Sequence, residues 1–219
     1  YQRARECGEA RGLSGEIGGI ELAMGDALDA SGRSAEAAAH LERARELSGD
    51  ATHRIELAAR IAQLYIEVGN KRGDQFAEEA LRDATPEHLP VAYARALAAR
   101  ARSAHMRGRH IEAVEALEQA QVVAEKHGAF DLLSRIYGYL AGACQHLARL
   151  DDSDGWARRI VTMGRERGDA AMEASGYETQ AENGTARGLW RNAIAHAETE
   201  LVLASRVHAE DRKAWANLP

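Results

Sequence analysis

The residues able to do chemistry in this 219-residue chain are few and scattered. His196 and Glu200 stand one helical turn apart, a spacing that can offer an imidazole and a carboxylate to one metal ion. It is also the spacing of an ordinary solvated pair on a helix surface, the commoner use. His105 and His146 precede two small residues, Gly108 and Ala148, at nearly the same distance, so neighbouring helices could bring them together; no further ligand accompanies them. The run Leu150-Asp151-Asp152-Ser153-Asp154-Gly155 has the outline of a calcium loop. Its first ligand position is Leu150, however, and its closing carboxylate position is Val161. It fits a helix N-terminus better, where carboxylates meet the positive end of the dipole. The chain has no phosphate-cradling glycine loop, no His-Glu-x-x-His zinc helix and no Gly-x-Ser-x-Gly elbow. Cys7 and Cys144 are too few for a disulfide framework and lack metal-ligand spacing, and Cys144 is expected to be a buried, inert thiol. No catalytic residue, metal or cofactor is expected.

The elements that must position these residues are helices. Apolar residues make up 45% of the chain, but aromatics only 5%, and alanine dominates the remainder. Alanine has the best helix propensity and lets helices approach closely. Three prolines in the whole chain fit that reading. The net charge is −6, and the arginines are interspersed with carboxylates without forming a basic run, so no nucleic-acid partner is expected. No apolar run reaches membrane-spanning length and no signal-peptide pattern opens the chain; a cytoplasmic, reducing location is expected.

The chain repeats. Gly32, Gly69, Gly108, Ala148 and Gly188 are spaced by 37, 39, 40 and 40 residues, each where one helical pattern ends and another begins. Seven residues before them stand Gly25, Ala62, Ala101, Ala141 and Ala181, all small. After the turn comes a stripe of small–bulky–small residues at helical spacing: Ala37, Leu41 and Ala44, and again Ala113, Leu117 and Ala120. The set recurs as Ala77, Leu81 and Ala84 if a loop at Asn70–Asp74 carries three extra residues, and weakens to Ser153, Ala157 and Ile160, then to Ala193, Ala197 and Glu200. Asp50, Asp131 and Asp169 open first helices, Pro86 and Pro90 fall where a first helical turn tolerates proline, and Gly12, Gly128 and Gly168 close second helices. The expected units are 14–49, 50–85, 86–128, 129–168 and 169–208, with half-hairpins at 1–12 and 210–219. A chain entered in mid-hairpin is expected to be a segment of a larger protein. A hairpin cannot bury its apolar face alone, so the units are expected to stack as a single all-α solenoid.

This pattern resembles the tetratricopeptide repeat. The best-matching stretch runs from Met24-Gly25-Asp26-Ala27-Leu28 through Gly32-Arg33-Ser34-Ala35-Glu36-Ala37 to Leu41 and Ala44. The period near 40 is that of the long-repeat subclass found in bacterial signal-transduction ATPases, maltose-regulator-type activators, cyclase-linked regulators and cell-polarity adaptors. The resemblance implies a right-handed superhelix of antiparallel helix hairpins whose first helices line a concave groove. Carried onto this sequence, the groove positions form an acidic entrance (Asp26, Asp29, Glu56), a basic and polar middle (Gln63, Arg95, Arg102, His105, Arg135, Tyr139, Gln145, His146) and an acidic far end (Glu178, Glu182). Gln63 and Arg102 stand where chaperone-cofactor clamps have lysine and asparagine. Trp190, two residues beyond a turn glycine, is expected to pack its hairpin, and Trp156 and Trp215 to cover helix seams.

The expected function is that of a non-catalytic protein- or peptide-binding regulatory module of a bacterial signalling or transcription-regulatory protein. Its expected partner is a protein or peptide with an acidic segment held by the groove arginines. Self-association through the open ends is a further possibility. The alternative is a small-molecule sensor controlling an attached ATPase, cyclase or DNA-binding domain.

Overall fold

The computed structural model describes the backbone of residues 14–216 and the side chains of residues 15–207. Among these there are ten helices and no strand: α1 Ser14–Ala30, α2 Ser34–Leu47, α3 Ala51–Glu67, α4 Arg72–Asp83, α5 Pro90–Met106, α6 His110–Lys126, α7 Phe130–His146, α8 Leu150–Arg167, α9 Ala170–Ala186 and α10 Trp190–Ala216. The half-hairpin expected at 1–12, with its Gly12, lies outside the described residues, as does the side chain of Trp215.

The helices fall into two compact units. The first comprises α1 to α5 with the C-terminal half of α6 from Gln119; the second comprises His110–Glu118 of α6 with α7 to α10. In the first, α2 lies between α1 and α3, α3 pairs with α4, and both α3 and α4 pack against α5. Its core is built on Leu41, Leu57, Ile61, Leu64 and Leu97 among closely spaced alanines, all almost fully buried. In the second, α8 lies between α7 and α9, and α9 pairs with α10 while also touching α7. Leu132, Ile136, Leu140 and Ile160 fill that core.

Each turn expected from a small residue has the same construction. Gly32, Gly69, Gly108 and Gly188 have φ between 71° and 79°, and Gly128 and Gly168 follow at 63° and 68°. In the first turn Gly32 N–H donates to the Asp29 carbonyl and Arg33 N–H to the Leu28 carbonyl, both at 2.9 Å. These two bonds satisfy carbonyls left over at the helix end, and they require a left-handed residue between them. The pair recurs as Gly108 to His105 and Arg109 to Ala104, and as Gly188 to Thr185 and Leu189 to Gly184. Ala148 adopts the same conformation at φ 56° with a Cβ in the way. Replacing Ala148 by glycine is therefore expected to raise stability by about 1 kcal/mol, read as a higher urea midpoint.

Helix starts vary more. Asp50 and Asp169 cap α3 and α9, accepting from Thr52 N–H and Met172 N–H, both at 2.9 Å. Pro90 occupies the first turn of α5, whereas Pro86 lies in the preceding loop. Asp131 sits in the first turn of α7. Asp151 and Asp152 sit in the first turn of α8, which begins at Leu150, before the acidic run.

Three sequence expectations need correction. The loop expected at Asn70–Asp74 is a short turn, because α4 begins at Arg72. Ala77 and Ala84 are buried as expected, together with Gly73, Phe76 and Ala80, while Leu81 is half-buried and packs against the edge of the core. Gly73 permits this: a Cβ there would lie 2.6 Å from Ile66 Cγ1 and 2.9 Å from the Ala62 carbonyl, so α4 approaches α3 more closely than a larger residue allows. In α10 the stripe shifts. Ala193 is buried, but Ala197 is exposed, with His196 turned further inward, and Trp190 is 61% exposed and does not pack its hairpin. Finally, α10 continues past the boundary expected near 209, since no glycine or proline interrupts 190–216.

Candidate functional site

In the first unit the polar faces of the first helices are tied to one another. Arg60 on α3 donates from Nη2 to Asp26 Oδ1 on α1 at 2.5 Å. One turn further along α3, Gln63 is 4% exposed, so its amide needs partners. It finds them in Arg95 of α5, whose Nη1 donates to Gln63 Oε1 at 2.7 Å, and in Glu67, which accepts from Gln63 Nε2 at 3.2 Å. The expected residues Asp26, Gln63 and Arg95 thus fall on a row running α1–α3–α5. Arg102 lies two turns beyond Arg95 on the same stripe of α5 and is half-buried, as is His105. The acidic entrance is not simply acidic: Arg60 neutralises Asp26, and Glu56 lies 3.7 Å from His53.

In the second unit Gln145 of α7 plays the part that Gln63 plays in the first. Its Nε2 donates to Glu182 Oε2 at 3.1 Å and to Asn183 Oδ1 at 2.9 Å, both on α9. Arg135 and Tyr139 lie one turn apart on α7, both half-buried. Glu178, Glu182 and Glu200 form a real acidic group: burial, then the charges of Glu200 and Glu182, push the Glu178 carboxyl above its ordinary range. His146 is exposed, with Nδ1 2.9 Å from the Gly142 carbonyl and its ring centroid 4.7 Å from that of His110. The ring of His196, offered in the sequence as a partner of Glu200, stacks on Tyr177 at 5.7 Å.

Beneath these rows sits a clasp that recurs at equivalent places. Asp74 of α4 accepts from Ser103 Oγ of α5 at 2.5 Å and is paired with Arg107. Burial opposes ionisation of Asp74, yet the Ser103 and Arg107 hydrogen bonds hold its carboxyl below the usual carboxylate range. In the second unit, Asn183 Nδ2 of α9 donates to Ser153 Oγ at 3.0 Å and to Asp154 Oδ1 at 2.7 Å, and Arg187 donates to Asp154 Oδ2 at 2.5 Å. Ser103 and Asn183 each stand five residues before a turn glycine, and Arg107 and Arg187 one residue before. Each clasp fixes a first helix on the second helix of the preceding hairpin, and so sets the register of the row above it.

Cys144 is fully buried, and burial raises its thiol pKa, which suits packing and opposes nucleophilic use. No helix among the described residues is long and apolar enough to cross a membrane. Sequence reasoning missed Arg60, although it stands three residues before Gln63 on the same stripe, and it missed Asn183 and the third acid, Glu200, as part of the acidic group.

No protein-family model matches the sequence, and no curated protein matches it. Solved structures do. A Rap protein complexed with Competence and Sporulation Factor superposes with a TM-score of 0.77 at 14% identity, over 88% of this chain and 54% of that one. Aspartyl phosphate phosphatase F from Bacillus subtilis gives 0.69 at 11% identity, over 93% of this chain and 55% of that one. A putative kinesin light chain from Podospora anserina, described by its nearly identical TPR-like repeats, gives 0.57 at 17% identity, over 86% of this chain and 95% of that one. The fold is tetratricopeptide-like. The chain spans about half the length of the first two structures.

Proposed function

We propose that the chain is a non-catalytic, protein- or peptide-binding regulatory module, acting in a cytoplasmic bacterial signalling protein and recognising its partner through the polar faces of the first helices. The observation that carries this is the row Asp26–Arg60 and Gln63–Arg95, in which guanidinium and amide groups are held in place before any partner arrives. Side chains already ordered lose less freedom on binding, so such a row suits recognition. The fold likeness to a Rap protein complexed with Competence and Sporulation Factor supports the same reading.

In the first unit the partner is a segment carrying carboxylates. Arg95 and Arg102 stand two turns apart on one stripe of α5, and guanidinium groups suit carboxylates. In the second unit Glu178, Glu182 and Glu200 favour a basic stretch of the partner instead. Three cavities within the units hold about 200 to 230 Å³, below the range of about 300 to 1,000 Å³ usual for enclosed ligands, so these three do not suit a sensor enclosing a small molecule.

Selection of peptides from a random display library tests the proposal. Acidic sequences are expected to be enriched, and Arg95→Ala with Arg102→Ala is expected to weaken a selected peptide by at least about tenfold, two charge-assisted contacts being lost. Unchanged affinity in the double variant would sink the proposal.

A further inference from the structure

The second unit holds a pair of imidazoles from two helix ends. His110 is the first residue of α6 and His146 the last of α7, two residues after Gly108 and two before Ala148. The fold brings these ends together inside the one unit. The ring centroids lie 4.7 Å apart with the planes 31° from each other, and each ring offers a nitrogen within 4.8 Å of one on the other. His110 is half-buried and His146 exposed, so an ion can reach both from solvent.

That spacing is close to the spacing of two ligands on one small metal ion. Two imidazoles on a tetrahedral zinc, with bonds of about 2.0 to 2.1 Å, have ligand nitrogens roughly 3.3 Å and ring centroids roughly 5 Å apart. The centroids are already near that distance. Rotation of the rings, without movement of either helix, turns the nitrogens onto one ion.

The tautomer of His146 suits the same use. Its Nδ1 lies 2.9 Å from the Gly142 carbonyl, which can only accept, so Nδ1 carries the proton and Nε2 the lone pair. A backbone carbonyl on the second ring nitrogen is the usual support of a metal-ligating histidine, because it fixes the ring and makes the ligating nitrogen more basic. His146 also ends α7, where the last carbonyls present the negative end of the helix dipole and favour a cation. Neutral imidazoles select a transition ion such as zinc over magnesium or calcium, which prefer oxygen.

We infer that His110 and His146 form a zinc-class transition-metal site, bound through Nε2 of His146 and one ring nitrogen of His110, with water completing the coordination. The inference does not depend on the first-helix row, so either can fail alone.

The test titrates the 219-residue chain with zinc chloride and follows the histidine ring nitrogens by long-range proton–nitrogen NMR, with signals assigned through their loss in His110→Ala and His146→Ala. Saturable shifts are expected at His146 Nε2 and at one nitrogen of His110, with a common apparent Kd, and magnesium chloride is expected to give none. In His110→Ala the Kd read at His146 is expected to rise at least about tenfold, and the reverse in His146→Ala, since loss of even an outer-shell partner costs that much. An unchanged Kd at the remaining histidine would mean an adventitious ion only and would overturn the assignment. So would a zinc response at one of the two rings alone, or an equal response to magnesium. The shifts are read on the unsubstituted chain, so they test the site even where a variant is less stable.

Discussion

Replacing Gly164 by alanine is expected to lower the unfolding free energy by about 2 kcal/mol, while the same change at Gly138 raises it by up to about 1 kcal/mol. Both glycines are helical, so both variants gain the same helix propensity. The difference lies in what the added methyl meets. At Gly164, near the end of α8, it would lie 2.6 Å from Glu173 N and 2.9 Å from Glu173 Cα on α9, and 3.0 Å from the Asp169 carbonyl. All three are backbone atoms, which cannot swing aside as a flexible side chain would. At Gly138, in the middle of α7, nothing lies within 4 Å. Urea denaturation of the two variants side by side checks this, and a gap of less than about 1 kcal/mol between them would mean that α8 and α9 are not in this close contact.

Asn183→Ala is expected to cost about 3 kcal/mol, because it empties the clasp of the second unit. Asn183 is fully buried and bonded to Ser153, Asp154 and Gln145. Its removal leaves the buried Ser153 hydroxyl without its amide partner and releases the Gln145 side chain from α9. Asn183→Asp separates this from a simple cavity effect. A carboxylate at that position would be buried beside Asp154, so its protonated form is favoured in the folded state. The folded protein then holds a proton that the unfolded chain has lost, so stability falls as pH rises from the unfolded carboxyl range up through the raised folded pKa, and is regained as pH falls. Asn183→Ala lacks that dependence. Urea midpoints of both variants between pH 4 and pH 8 distinguish the two, and parallel curves would rule out the buried-carboxylate account.

The turns were legible because a left-handed residue between two helices is a local demand, and glycine meets it at all but one of the marked positions. The stripes of α2 and α6 were legible for the same reason: Ala37, Leu41 and Ala44, and Ala113, Leu117 and Ala120, are spaced as one helix face and are all buried. On α4 the expected Ala77 and Ala84 are buried too, but Gly73, Phe76 and Ala80 share that face and Leu81 lies at its edge, because only the close approach of α3 at Gly73 decides how the helix is turned. The positions of Gln63 on α3 and Arg95 on α5 came from the repeat, whereas the hydrogen bond that joins them is visible only in the structure. The partner of Asp26 was hidden, because Arg60 lies in the next hairpin and no spacing within one repeat announces it. The clasps were hidden differently. The position five residues before the turn carries Ser103 and Asn183 in two repeats but Leu64 and Ala143 in two others, so averaging over repeats erases it.

Binding by the first-helix row is tested most directly by locating a bound peptide. Amide and side-chain NMR shifts induced by a library-selected acidic peptide are expected to concentrate on the row of α3 and α5, at Arg60, Gln63, Arg95 and Arg102. The outward residues of α2 and α4, such as Glu46, Glu78 and Arg82, are expected to stay unmoved. Shifts confined to α2 and α4, with α3 and α5 silent, would contradict the proposal that the first helices carry recognition.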